Sequence, residues 1–171
     1  QVLDAAELSD DSQFDADVVI IGTGAGGGTS AEILAAAGLR VLLVEEGALK
    51  TSSDFHNDEA KAYADLYQEG SLRTTRDAGI AILQGRAVGG TTTVNWTSSF
   101  RTPPLTLQHW ASQHAVQDLT SESLAPWFAR MEQRLGIERW SLPPNANNDV
   151  LRKGCEALGW HWAVIPRNVR G

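Results

Sequence analysis

The chain has 171 residues, 42% of them hydrophobic, which is enough for one domain, or a large part of one, with a substantial core. Its net charge of −7 is unevenly placed: residues 1–17 carry six acids and no base, and the remainder carries 15 acids against 14 bases. That balance, with no basic stripe interleaved with aromatics, excludes a nucleic-acid partner, and the single cysteine, Cys155, excludes an intrachain disulfide and a cysteine-built metal site.

Residues 1–16 read as a solvated acidic arm. They hold neither a basic n-region nor an apolar h-region, so no export signal is present among them, while a start at Gln1 rather than Met leaves room for one upstream. A lone cysteine suits a reducing compartment, and the cytoplasm is the expected location.

Asp17-Val18-Val19-Ile20-Ile21 is an apolar strand that runs directly into Gly22-Thr23-Gly24-Ala25-Gly26-Gly27-Gly28. Glycines at 22, 24 and 27 give the spacing G-x-G-x-x-G. In a dinucleotide-binding βαβ unit the first turns the chain off the strand, the second admits a pyrophosphate and the third lets the next helix pack closely. The helix then offers its free N–H groups and positive dipole end to the phosphates. Gly22, Thr23, Gly24, Ala25, Gly26 and Gly27 are therefore candidate cofactor-binding residues. A helix is predicted over 29–37 with a stop at Gly38, followed by a buried strand over 40–44 that ends at Glu45. Glu45 lies 18 residues beyond Gly27, near the expected place of the carboxylate that accepts ribose hydroxyls and repels a 2′-phosphate, which disfavours NADP. The alternative, a tight turn with Glu45 or Glu46 as a solvated acid, leaves the agreement of strand, glycines, helix and acid unexplained. The apolar stretch 18–44 is not read as a membrane span, because Glu32 and Arg40 interrupt it and its glycines gather at one end.

A helix is predicted over 58–69 and a short apolar strand over 80–84. Gly85-Arg86-Ala87-Val88-Gly89-Gly90-Thr91-Thr92-Thr93-Val94-Asn95-Trp96 follows, too polar for a core strand. Its small residues allow close backbone approach, and its hydroxyls and amide can hydrogen-bond an extended polar ligand.

Residues 22–28 with Glu45, together with residues 85–95, resemble the N-terminal part of a glucose-methanol-choline (GMC) flavoprotein oxidoreductase. The stretch Val94-Asn95-Trp96-Thr97-Ser98-Ser99-Phe100-Arg101-Thr102-Pro103 is most similar to the branch of long-chain alcohol oxidases and related bacterial dehydrogenases. The resemblance covers 15–171, more weakly after Pro104. It implies an α/β fold class: a Rossmann-like FAD-binding βαβ unit of the FAD/NAD(P)-binding fold, incomplete in this chain. Residues 17–104 would form the FAD-binding region, and 105–171 a helical connection and the start of a substrate domain. It implies FAD as cofactor, with Gly89, Gly90, Thr91 and Asn95 along the flavin and its pyrophosphate and Trp96 and Ser98 near the ring. Some relatives attach FAD through a histidine at the position of Val94; valine cannot, so non-covalent FAD is expected. Many carry an aromatic residue at the position of Ser99, here displaced to Phe100, which leaves the path of the chain around the ring open.

The implied activity is oxidation of the CH–OH group of an alcohol substrate. The resemblance places the catalytic histidine and its companion outside these residues, so no catalytic residue is assigned here; membrane association is left undetermined. Two other readings are an NAD-linked dehydrogenase, which gives 85–95 no purpose, and a flavin-binding fragment without turnover.

Residues 106–140 read as helical, with Leu107, Trp110, Leu119, Leu124, Trp127, Phe128, Met131 and Leu135 packing and Gly136 as a stop. His109 and His114 lack a third ligand at metal spacing. Residues 143–148 form a turn-rich break before a helix over 149–158. Trp160 and Trp162 alternate with His161 and Ala163 as a possible strand, with an aromatic core as the preferred role. Two parallel strands alone would leave wide faces and an open edge, so the remaining C-terminal part of the protein is the expected partner that completes the sheet.

Overall fold

The computed structural model describes residues 2–9 and 11–169. Contacts divide the chain into two units, residues 1–95 and 96–171.

The first unit is built on one βαβ motif: strand β1 (Val18–Ile21), helix α1 (Ala25–Ala36) and strand β2 (Val41–Val44). The strands pair in parallel from Val18↔Val41 to Ile21↔Val44. Arg40 fixes where the pairing starts. Its backbone N–H and Nη2 donate to the two carboxylate oxygens of Asp17, each at 2.8 Å, and Asp17 N–H donates to Arg40 O at 2.9 Å. The Arg40 hydrogen bonds pull the Asp17 carboxyl down to about 2. A carboxyl lowered on folding contributes stability above its unfolded pKa and loses it as pH falls through the folded one. Asp17→Asn should therefore lower the urea midpoint at neutral pH, and its gap to wild type should close between about pH 4 and pH 2; midpoints measured across that range check this, and a pH-independent gap would count against the clamp.

Helix α1 starts four residues before the predicted 29, because its N-cap is Gly24 and Gly26, Gly27 and Gly28 form its first turn. Gly28 N–H already donates to Gly24 O at 2.8 Å. Low glycine propensity hid a start that tertiary packing imposes. The stop is as expected: Gly38 takes φ +90° and donates to Ala35 O at 3.0 Å.

Helix α2 (Glu59–Leu66) begins at the Asp58 cap, whose carboxylate accepts from Lys61 N at 3.2 Å. The predicted strand over 80–84 does not form. The run makes scattered backbone bonds, Thr75 N–H to Ile80 O, Ile82 N–H to Arg73 O and Gln68 N–H to Gln84 O, and an isolated Thr74↔Ala81 bridge without forming a strand, and Ile80 and Leu83 are exposed. An apolar run with no neighbouring strand edge has no ladder to join. Residues 85–95 close the unit, with a single 3₁₀ turn at Gly90–Thr93.

The second unit holds α3 (Pro104–His114), α4 (Ser121–Leu135), β3 (Glu138–Arg139), α5 (Ala146–Ala157) and β4 (Pro166–Arg167), with β3 and β4 antiparallel. The helical stretch predicted over 106–140 is two helices. Ala115 (φ 52°) ends α3, Asp118 (φ 61°) turns the chain, and a Thr120–Ser123 capping box opens α4. Gly136 ends α4 at φ 62°. Helix α5 starts three residues before the predicted 149, at an Asn145 cap. The possible strand at 160–163 is absent; the short strand lies at 166–167, and Trp162 instead lies beneath Arg152, 5.6 Å from guanidinium to ring centroid. His109 and His114 are exposed and meet edge-on, 5.6 Å between centroids.

Among the described residues the buried apolar side chains are Ala31, Leu66, Ala87 and Leu107. Of the packing positions expected between 106 and 140, only Leu107 is buried; Trp110, Trp127 and Leu135 are exposed. In the sheet Val19 and Ile21 are 56% and 88% exposed. Such apolar elements need a further covering layer. Among the described residues no helix is long and apolar enough to cross a membrane.

Candidate cofactor site

The loop from β1 to α1 divides its three spaced glycines among three jobs. Gly22 turns the chain at φ +91°, a left-handed conformation that side chains resist, and holds the sheet through N–H donation to Val44 O at 2.7 Å. Gly27 packs: a Cβ there would stand 1.9 Å from Gly22 O. Gly24 does neither. Its φ of −62° and ψ of −171° suit any residue, and a Cβ there would meet no atom within 4 Å. A Cβ at Gly26 would also meet nothing within 4 Å.

The first-turn amides of α1, at Ala25, Gly26 and Gly27, have no acceptor within the helix. Gly24 supplies no side-chain cap, and the first turn has no acid. The cradle is thus bare of side chains, rich in N–H donors and at the positive end of a 12-residue helix dipole, which is the donor set a pyrophosphate requires. The chain's own residues fit a dinucleotide here.

Glu45 stands at the end of β2, where its spacing predicts it, and is tied to the protein. Oε2 accepts from Thr23 N at 2.8 Å and from Thr23 Oγ1 at 2.7 Å, and Oε1 accepts from Gly47 N at 2.9 Å. A carboxylate has about four acceptor positions, and with the Glu46 backbone N–H also acting on it the Glu45 carboxylate is engaged by the protein on both oxygens. Burial pushes the Glu45 carboxyl up, but these hydrogen bonds outweigh it and hold it below the usual range. Glu45 is therefore ionised at neutral pH. Glu46 is exposed, taking a hydrogen bond from Gln68 and lying 3.5 Å from Arg86.

The second glycine-rich loop folds onto the first. Gly89, at φ +93°, donates its N–H to Thr23 Oγ1 at 2.9 Å, and a Cβ on Gly90 would come within 3.1 Å of Gly24 Cα. Residues 66 positions apart in sequence thus meet at the N-terminus of α1. The three threonines mostly serve the loop itself: Thr92 Oγ1 donates to Gly89 O and Thr93 Oγ1 to Val88 O, while Thr91 Oγ1 accepts from Gly85 N at 3.1 Å and keeps its own proton for another acceptor. Asn95 folds its amide back, donating to Thr92 O at 2.7 Å.

Sequence reasoning did not single out Gly47, where a Cβ would strike Ala87 N at 2.4 Å; a glycine two places after the strand-end acid was the available signal. Gly85 makes the close backbone approach expected of this stretch, since a Cβ there would strike Gly90 O at 2.4 Å.

Trp96 and Ser98 belong to the second unit. Trp96 is 80% exposed and Ser98 is exposed, forming an isolated bridge with Arg167. Arg167 holds this turn in shape: Nε donates to Thr97 Oγ1 at 2.9 Å, Nη2 donates to Trp96 O at 3.0 Å, and the guanidinium sits 5.3 Å from the Trp140 ring centroid. Thr97 itself takes φ +63°. Among the described residues no group of three or more His, Cys, Asp or Glu could hold a metal ion.

The GMC oxidoreductase family model matches residues 63–171. The chain belongs to that family. Long-chain-alcohol oxidase FAO4B of Arabidopsis thaliana is 40% identical over 152 residues, 89% of this chain and 20% of the relative. An uncharacterized GMC-type oxidoreductase of Sinorhizobium fredii is 34% identical over 164 residues, 95% of this chain and 32% of the relative. The chain thus spans about a fifth to a third of the length of these relatives. Among solved structures, pyridoxine 4-oxidase from Mesorbium loti is similar at a TM-score of 0.50 and 28% identity, over 66% of this chain and 24% of that one. An FAD-dependent oxidoreductase from Chaetomium thermophilum shares the fold at a TM-score of 0.51 and 19% identity, over 66% of this chain and 20% of that one.

Proposed function

We propose that this chain is the FAD-binding N-terminal portion of a flavoenzyme that oxidises an alcohol, with a long-chain alcohol as the first substrate to try. The observation that carries the reading is the meeting of both glycine-rich loops at the bare N-terminus of α1, beside an ionised Glu45. The name of the 40%-identical relative supports the substrate class.

In this reading the amides of Ala25, Gly26 and Gly27 bind the pyrophosphate, and Gly24 leaves it room. Glu45 meets the ribose hydroxyls while shared with Thr23 and Gly47, and its charge rejects a 2′-phosphate. Gly89, Gly90, Thr91 and Asn95 line the path toward the flavin, with Trp96 and Ser98 at the ring. Val94 offers no nucleophile, so the cofactor is held without a covalent bond. Bound FAD supplies the hydride acceptor for the alcohol carbon. The alcohol proton is taken by a base from the rest of the protein. That same remainder covers the exposed faces of β1 and β2, where Ile21 is 88% exposed.

The purified intact protein should show the visible spectrum of oxidised flavin, and acid precipitation should release the colour into the supernatant. A colourless protein would overturn FAD binding, and colour that stays in the pellet would overturn non-covalent attachment. Turnover of primary alcohols of rising chain length with an artificial electron acceptor tests the substrate class; no reduction with any of them would overturn it.

A further inference from the structure

The geometry points to Thr23 as a positioning residue that locks the second glycine loop onto the first, so that cofactor affinity depends on a hydroxyl not itself required to touch the cofactor. This deepens the FAD reading above and rests on it.

Position 23 is the variable x between the first two spaced glycines, and backbone geometry alone sets no demand for a hydroxyl there. In this chain the hydroxyl does two things at once. Its proton goes to Glu45 Oε2 at 2.7 Å, and its lone pair receives Gly89 N–H at 2.9 Å. With Thr23 N–H on the same Oε2 at 2.8 Å and Gly47 N–H on Oε1 at 2.9 Å, the chain of bonds runs from Gly47 through Glu45 and Thr23 to Gly89. It joins the end of β2, the β1–α1 loop and the second glycine loop. Because Glu45 is ionised, the Thr23–Glu45 bond is charge-assisted and fixes the hydroxyl rotor. A donor committed to Glu45 can only be an acceptor toward Gly89, so the direction of the relay is set.

The consequence is a fixed contact. Gly90 is held against Gly24, where its Cβ would come within 3.1 Å of Gly24 Cα, beside the first-turn amides proposed to bind the pyrophosphate. The Gly89–Thr23 bond ties the second loop to the first at this point, and if Gly89 N–H loses its acceptor the left-handed Gly89 (φ +93°) loses that tie. Preorganisation is lost, and the cofactor must then order the loop on binding.

The test compares Thr23→Val and Thr23→Ser in the intact protein. Valine keeps the branched shape and removes the hydroxyl; serine keeps the hydroxyl and removes the methyl. FAD dissociation constants, from fluorescence titration of the apoprotein, are expected to rise about 10-fold or more in Thr23→Val, since an unpaired N–H and a broken charge-assisted bond are each worth about a factor of ten. Thr23→Ser should stay within about 3-fold of wild type. In the ligand-free protein, amide exchange at Gly89 should be slow in wild type and Thr23→Ser and about 10-fold faster in Thr23→Val.

FAD affinity in Thr23→Val equal to wild type, or in Thr23→Ser as weak as in Thr23→Val, would overturn the lock. So would a freely exchanging Gly89 amide in the ligand-free wild type, a reading that needs no variant to fold. A wild type that binds no FAD but protects Gly89, with protection lost in Thr23→Val, would remove the cofactor reading and leave the loop lock standing.

Discussion

Gly24→Ala is expected to leave the stability of the ligand-free protein nearly unchanged and to weaken FAD binding by about 10- to 100-fold. The first half follows from the fold. The added Cβ meets no protein atom within 4 Å, and φ −62° with ψ −171° is ordinary extended backbone. Replacing glycine in a compatible conformation gains about 0.4–1 kcal/mol from the unfolded chain. Alanine is a poorer N-cap than glycine by about the same amount, so the two effects nearly cancel. The second half follows from the proposed cradle. The added Cβ stands in space that no protein atom occupies within 4 Å, at the N-cap of α1 where the proposed pyrophosphate would approach the first-turn amides. A methyl forced into a filled gap costs about 1–3 kcal/mol, which is the stated range of affinity. Denaturation of the apoprotein and FAD titration measure the halves separately. Unchanged affinity would remove Gly24 from the cofactor path; a large loss of apoprotein stability would mean that the glycine serves the fold after all.

The same residues show what the sequence makes legible. The βαβ unit is readable because each signal is local: an apolar run, spaced glycines, a glycine stop and a strand-end acid lie within 30 residues. Glu45 is placed correctly by spacing, but its ties to Thr23 and Gly47 are not, because hydrogen-bond direction depends on the loop's three-dimensional path. The second loop stands out in the sequence as a candidate binding stretch from composition, yet the hydroxyls of Thr92 and Thr93 turn inward. Thr92 and Thr93 hold Gly89 O and Val88 O, a choice that the tight turn at Gly90–Thr93 makes for them. The errors have one common cause. The run at 80–84 has strand composition but no neighbouring strand, and the aromatic positions of α3 and α4 have core composition while Trp110 and Trp127 are exposed. Residue type reports what a segment could bury, and only the neighbouring layer decides whether it does.

Gly27→Ala should do the opposite of Gly24→Ala and destabilise the fold itself by about 1–2 kcal/mol or more. The Cβ would lie 1.9 Å from Gly22 O, 3.0 Å from Gly22 C and 3.3 Å from Ile20 Cγ2. Two of those three atoms are backbone, so no rotamer change relieves the contact. Either α1 moves away from β1, or the Gly22 turn gives way along with its N–H bond to Val44 O. Overpacking of this kind costs about 1–3 kcal/mol or more, and alanine's helix propensity returns at most about 1 kcal/mol. Against a total stability of about 5–15 kcal/mol the net loss is large. Gly26→Ala, one residue earlier in the same turn of α1, separates the two causes. It carries the same propensity gain, and its Cβ meets nothing within 4 Å, so the apoprotein should gain about 0.5–1 kcal/mol. Urea denaturation of the three apoproteins decides the matter. Opposite shifts at 26 and 27 would establish that the third spaced glycine is required for the approach of helix to strand, whereas equal shifts would reduce both positions to helix propensity and deny Gly27 a packing role.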